Sequence, residues 1–304
     1  MSGRRADPAP GRFVRLSCDG VPLHVLVEGS GPPVVLSAGL AMAWFDWDQV
    51  AELLVAAGRT VVRFDRPGHG LSGPAVRPPS AAGEAHRIAG LLDALGLGAE
   101  RVTVAGHSLA GFHAEAFARL YPARTAALVL LDGSVEEGPP RTALPAGLRT
   151  GAARVLGRAV TAVGLPAALG PWARRTAVRA SRAGGADPAP RGLVRRCYRT
   201  GRVWRGALLE NSRYPDTAAE VRALRAELPL TAPVTVLAGH DPGARRPDLA
   251  WLARQAALAD ALGARFAVAE PAGHLVMLDR PHQVARAVQY AAVQYAAVRA
   301  GETD

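Results

Sequence analysis

A serine hydroxyl is a poor nucleophile until a base takes its proton, and histidine is the side chain whose unperturbed pKa suits that task near neutrality. In this chain of 304 residues the serine best placed for such chemistry is Ser108, within RVTVAGHSLAG at Arg101 to Gly111. The matching histidine is His274, at the end of the Gly-containing run EPAGH. Gly106 and Ala110 stand two residues to either side of Ser108. Small residues at those positions suit a sharp turn that has no room for larger side chains and pushes a hydroxyl toward a pocket.

The elements around these residues must bring them together. Val102-Thr103-Val104 reads as a short buried strand, and Leu109 to Tyr121 has apolar residues at helical spacing, so Ser108 sits where strand becomes helix. Phe13 to Glu28, around the turn signal Asp19-Gly20, reads as a β-hairpin on the antiparallel edge of a sheet. Buried strands are expected at Val34–Ser37, Thr60–Phe64, Ala126–Leu131, Val234–Ala238 and Ala264–Ala269. Helices are expected at Ala41–Ala57, Ala81–Leu95, Thr217–Glu227, Pro247–Leu262 and Pro281–Val298. Strands and helices that alternate in this way predict an α/β fold: a mostly parallel central sheet with helices on both faces. Ligands of such sheets sit beyond the carboxyl ends of the strands. Ser108, Asp241 (in GHDP) and His274 each follow a strand at that edge, in the chain order Ser, Asp, His.

Between Ser134 and Pro215 the alternation stops. No strand is evident there, and the amphipathic pieces Leu148–Val163 and Gly192–Leu209 are interrupted by Pro and Gly. The segment is too long for a loop and reads as an inserted helical subdomain, with residues 1–133 and 216–304 forming the core domain. The formal net charge of +10 is concentrated in the insertion, which has 15 Arg against 4 acidic residues. The chain has no Lys, which points to a compositional bias rather than to selection for guanidinium groups.

Four motifs resemble those of the α/β-hydrolase fold family over nearly the whole chain: the elbow GHSLAG at Gly106 to Gly111, DRPGHGLS at Asp65 to Ser72, GHD at Gly239 to Asp241, and AGH at Ala272 to His274. The resemblance implies that Ser108 is the nucleophile, His274 the general base and later acid, and Asp241 the residue that orients the imidazole. Asp132, in LLDGS, is the alternative acid. The resemblance also places an oxyanion hole at the backbone amides of Leu40 and Leu109. At the first of these the chain has Ala38-Gly39 where many relatives have His-Gly. A serine at the elbow disfavours the dehalogenase and epoxide hydrolase branches, which use aspartate there.

The expected function is a cofactor-independent serine hydrolase with a helical cap, acting on a carboxylic ester or related acyl compound. Thioesterase, carbon–carbon bond hydrolase, aminopeptidase and cofactor-free haloperoxidase chemistry stay open, as does a noncatalytic relative that serves as a small-molecule receptor. Neither Cys18 nor Cys197 belongs to a metal cluster or disulfide framework, and no metal is expected. His24, His86, His113 and His282 read as packing or solvated residues, His69 as a loop-fixing residue, His107 as pocket lining and Asp65 as a turn cap. The cap is expected to lay its apolar face over the pocket and turn its arginines to water. Alternatively, its basic surface draws in an acidic substrate, an acyl carrier or an anionic membrane surface. Nucleic acid is not expected, for want of a recognition motif. With no secretory leader and no apolar run of about 18 residues, a cytoplasmic protein is expected.

Overall fold

Val34-Val35-Leu36 and Leu128-Val129-Leu130-Leu131 are apolar at every position, so as strands they present an apolar row to both faces of a sheet. The structure is a computed structural model describing residues 10–16, 19–136, 138, 144–244 and 248–301. In it these runs lie in a single eight-stranded sheet of order β1-β2-β4-β3-β5-β6-β7-β8. The strands are β1 (Arg12–Arg15), β2 (Pro22–Glu28), β3 (Pro33–Ser37), β4 (Thr60–Phe64), β5 (Val102–His107), β6 (Thr125–Leu131), β7 (Val234–Gly239) and β8 (Arg265–Ala269). β1 and β2 form the expected hairpin, and β2 also runs antiparallel to β4. All the other neighbouring pairs are parallel.

The helices are α1 (Asp48–Ala56), α2 (Ala81–Ala94), α3 (Ala110–Leu120), α4 (Ala146–Ala162), α5 (Leu165–Ala180), α6 (Arg191–Tyr198), α7 (Gly201–Glu227), α8 (Leu249–Ala261), α9 (Val276–Asp279) and α10 (Pro281–Gly301). On one face of the sheet, Ile88, Phe112, Phe117 and Leu258 from α2, α3 and α8 share a core with Val35, Val62, Val104, Leu128 and Val236. On the other, Val50, Leu54, Val284 and Val288 from α1 and α10 share one with Val34, Leu36, Val61, Val129 and Leu131. Alternate residues of the same strands thus feed opposite cores, each buried side chain contributing about 1.5–3 kcal/mol.

Two expectations about element boundaries change. The helix expected from Ala41 to Ala57 begins as one turn of 3-10 helix at Trp44–Trp47 before α1. There Asp65 accepts from the Trp44 amide at 2.9 Å and Asp46 from the Ala43 amide at 2.9 Å, which holds that turn tight. Pro215, expected to end the insertion, lies inside the continuous helix α7. Leu209 and Glu210 before it, and Ala218 and Val221 after it, are all buried. Packing on both sides of the proline outweighs the local preference for a break. The helices α4 to α7 all stand between β6 and β7 in chain order. Cys197 is buried as a free thiol whose pKa burial raises to about 12, which makes it a packing residue. Cys18 lies outside the described residues.

Candidate active site

β5 ends at His107 and α3 starts at Ala110, leaving Ser108 at the join with φ +53°. Among the described residues the non-glycine positions with left-handed backbone are Ala41, Ser108 and Asp132, and all three belong to this site. Each such conformation costs about 1–3 kcal/mol and persists only where its surroundings fix it. Here the surroundings are tight. A Cβ on Gly106 would stand 2.2 Å from the Ala110 carbonyl oxygen, and one on Gly39 would stand 2.7 Å from His107 Nδ1. Glycine is therefore required at both positions by close approach.

His274 Nε2 lies 2.9 Å from Ser108 Oγ, and His274 Nδ1 lies 2.5 Å from Asp132 Oδ2. The carboxylate beside the imidazole is thus Asp132, not the expected Asp241. The register of the sheet explains the choice. Leu131 of β6 pairs with His107 of β5, so the next residues, Asp132 and Ser108, emerge side by side at the same edge. Leu131 also pairs with Leu237, which puts Asp241 three residues past the level of Asp132 on a strand further from Ser108. Asp241 instead accepts from the Gly243 amide at 3.1 Å, closing a turn on its own loop.

Asp132 is 1% exposed and fully used. Its Oδ1 accepts from the Gly239 amide at 2.9 Å and from Trp251 Nε1 at 3.0 Å, leaving Oδ2 for His274. His107 fixes the same histidine from another side, its Nε2 donating to the His274 carbonyl at 2.8 Å. Burial, then the nearness of His274, push the His107 pKa well below its ordinary value, so it is a neutral donor.

The loop before the site is gripped at its carbonyls. Arg66 donates to the carbonyls of Ala38 and Gly39, the latter at 3.0 Å, and Tyr198 Oη donates to that of Ala41 at 2.7 Å. Arg66 is in turn held by Glu210 of α7, at 2.7 and 3.0 Å. Burial alone would raise the Glu210 pKa, but the guanidinium lowers it to about 2. Among the described residues, neither the Leu40 nor the Leu109 amide has a hydrogen-bond partner. Both residues adjoin Ser108, Leu40 as part of the lining of the cavity.

That cavity has a volume of about 550 Å³ and is walled mainly by apolar side chains, among them Met42, Val178, Val203 and Leu208. Among the described residues the cation that lines it is Arg174, which is buried and paired with Asp46 and with Asp187, the second at 3.2 Å. Burial opposes the charge on Arg174, yet Asp46, Tyr198 and Asp187 together raise its pKa above the ordinary value. No group of three or more His, Cys, Asp or Glu among the described residues is arranged to hold a metal ion.

Four contributors escape the sequence reading: Arg66, Tyr198, Glu210 and Trp251. Arg66 lies in a motif already singled out, but the carbonyls that it grips lie 27 and 28 residues away along the chain. Asp65 and His69 match expectation as loop organisers, Asp65 accepting from the Trp44 and Leu71 amides and His69 lying 3.2 Å from the Pro67 carbonyl.

A sequence profile described as the Alpha/beta hydrolase family matches residues 34–287. One curated relative is a 2-hydroxy-6-oxononadienedioate/2-hydroxy-6-oxononatrienedioate hydrolase of Dechloromonas aromatica, 38% identical over 127 residues, 41% of this chain and 40% of the relative. Another is epoxide hydrolase B of Mycobacterium tuberculosis, 33% identical over 38% of this chain and 33% of its own length. The chain therefore spans about two fifths or less of the length of these relatives. Among solved structures, Cfl2 of Burkholderia cenocepacia superposes with a TM-score of 0.71 at 23% identity, covering 92% of this chain and 94% of that one. With the profile spanning most of its length, the chain belongs to the alpha/beta hydrolase family.

Proposed function

We propose that this protein is a serine hydrolase that cleaves a carboxylic ester or related acyl compound through an acyl-enzyme. The observation that carries this reading is the unbroken hydrogen-bonded series Ser108–His274–Asp132 at the wall of an apolar cavity. Ser108 Oγ attacks the acyl carbonyl while His274 Nε2 takes its proton. Asp132 keeps the other imidazole proton on Nδ1 and stabilises the imidazolium. The Leu40 and Leu109 amides receive the oxyanion, and Arg66 keeps the first of them aimed by holding the carbonyls of the two residues before it. His274 then protonates the departing alcohol. A water, deprotonated by the same histidine, attacks the acyl-enzyme and releases the acid.

Helices α4 to α7 act as the cap: Gly170 and Ala173 of α5, Tyr198 of α6 and Val203 and Leu208 of α7 contribute to the cavity wall, and α4 rests on α7 from outside it. The Dechloromonas relative is named for a dienedioate, a dicarboxylate, which makes carbon–carbon bond hydrolysis the second reading. Here Arg174 is already neutralised by Asp46 and Asp187, which favours an uncharged acyl group over a dianion. A fluorophosphonate probe tests the reading. Wild type should be labelled and Ser108→Ala should not; labelling that survives the substitution would remove Ser108 as nucleophile.

A further inference from the structure

The apolar surface of the insertion is not all turned inward. α4 rests on α7 through its buried Thr150 and Gly157, where a Cβ on Gly157 would stand 2.8 Å from Arg205 Cγ. Helical geometry sets Leu148, Val155 and Val163 on the side away from that contact. They are 62%, 66% and 74% exposed, and Ala152 and Ala159 between them are exposed as well. Beyond the Gly164 turn, helical geometry sets Trp172 of α5, 66% exposed, on the side away from that helix's buried Gly170, Arg174 and Val178. Single exposed apolar residues are ordinary, whereas a row along the outer side of one helix, with a large apolar side chain on the outer side of the next, marks a contact surface.

The charge beside the row is of one sign. Residues 144–200 carry 11 Arg and one acidic residue, Asp187, which is buried against Arg174. Arg154 and Arg158 border the row on α4 and Arg179 lies near the end of α5, all three exposed and without a carboxylate partner among the described residues. In length and composition α4 and α5 taken in series are apolar enough for a membrane span, but the chain bends by 106° between them, and no single helix among the described residues qualifies. A bent, one-sided pair of this kind suits the bilayer interface, with apolar side chains among the acyl chains and guanidinium groups at the lipid phosphates.

We propose that the outer face of α4 and α5 is a docking surface for an anionic lipid bilayer. A second copy of the chain fits it less well. A two-fold contact would set Arg154, Arg158 and Arg179 of one copy against the same residues of the other, with no exposed acidic residue in α4 or α5 to separate them.

The test is sedimentation of the full chain with vesicles of phosphatidylcholine alone and of phosphatidylcholine mixed with phosphatidylglycerol, at low and high salt. Uptake by the mixed vesicles, weakened by salt, is expected. The double variant Val155→Glu, Trp172→Glu should lower that uptake roughly tenfold, as expected for lost apolar insertion. Val293→Glu, at a site 58% exposed on α10, should leave it unchanged. Thermal melting of each variant checks that it is folded, so the outcome is read without reference to hydrolysis. Absence of uptake, equal uptake by the two vesicle types, or full uptake of the double variant would overturn the proposal. So would a dimer, seen by light scattering, that the double variant dissolves.

Discussion

The ends of β6 and β7 look alike in sequence, each an apolar strand followed within a few residues by an aspartate, yet the structure uses them in opposite ways. Asp132 follows β6 at once, is 1% exposed, and spends its carboxylate on Gly239, Trp251 and His274. Asp241 comes two residues after β7, is only partly buried, and closes a turn on Gly243. A carboxylate that must hold an imidazole in one tautomer needs fixed partners on its other oxygen; Asp132 has two of them in a buried setting, whereas Asp241 has one amide of its own loop. Immediacy after the strand, rather than membership of a familiar run such as GHD, is what distinguishes the two.

The largest effect lies one step beyond this contrast, at the serine whose hydroxyl faces the imidazole that either aspartate would hold. Ser108→Ala should lower kcat by about 10⁶, measured on an activated ester in single turnover, and only background hydrolysis should be left. Arg66→Met comes next. It frees the carbonyls of Ala38 and Gly39 and strands Glu210, so kcat should fall about 10²-fold with KM little changed, the pattern of a lost oxyanion donor. Trp251→Phe removes one of the two donors on Asp132 Oδ1, and a fall in kcat of about tenfold is expected. If Asp241 held the imidazole instead, Trp251→Phe would leave kcat unchanged.

Acid stability depends on buried ionisable groups carried by the elements around Ser108. Burial lowers the His113 pKa from 6.5 to about 3, and His107 is likewise held neutral. In the unfolded chain these histidines take up protons below 6.5 while the native ones do not, so stability is retained above that pH and lost as pH falls. His113 alone should account for about 2 kcal/mol between about pH 7 and about pH 5. Glu210, lowered from 4.5 to about 2, adds a second loss below 4.5, where the unfolded carboxylate protonates first. Urea unfolding across this range should show a shallower decline in His113→Asn than in wild type.

Much of this site is legible in the sequence because it is set by local rules. The apolar runs mark the strands, the small residues around Ser108 mark the turn, and His274 follows a Gly at a strand end. What is not legible depends on register and on distant partners. Whether Asp132 or Asp241 meets His274 follows from the pairing of Leu131 with both His107 and Leu237. The link from Arg66 to Glu210 spans 144 residues of sequence and joins two elements whose meeting no periodicity announces. Pro215 misleads because a proline is a local signal, whereas the continuity of α7 comes from burial on both sides of it. The exposed row on α4 escapes for a related reason: its amphipathic pattern is visible, but only packing shows which face meets α7.

The most direct test of the account sets the two aspartates against each other. Asp132→Asn and Asp241→Asn should be assayed for kcat/KM on the same ester. A loss of about 10⁴ is expected for the first, as when a triad acid no longer fixes the tautomer, and a change within about twofold for the second. A larger loss at Asp241, or activity that survives Asp132→Asn, would contradict this account.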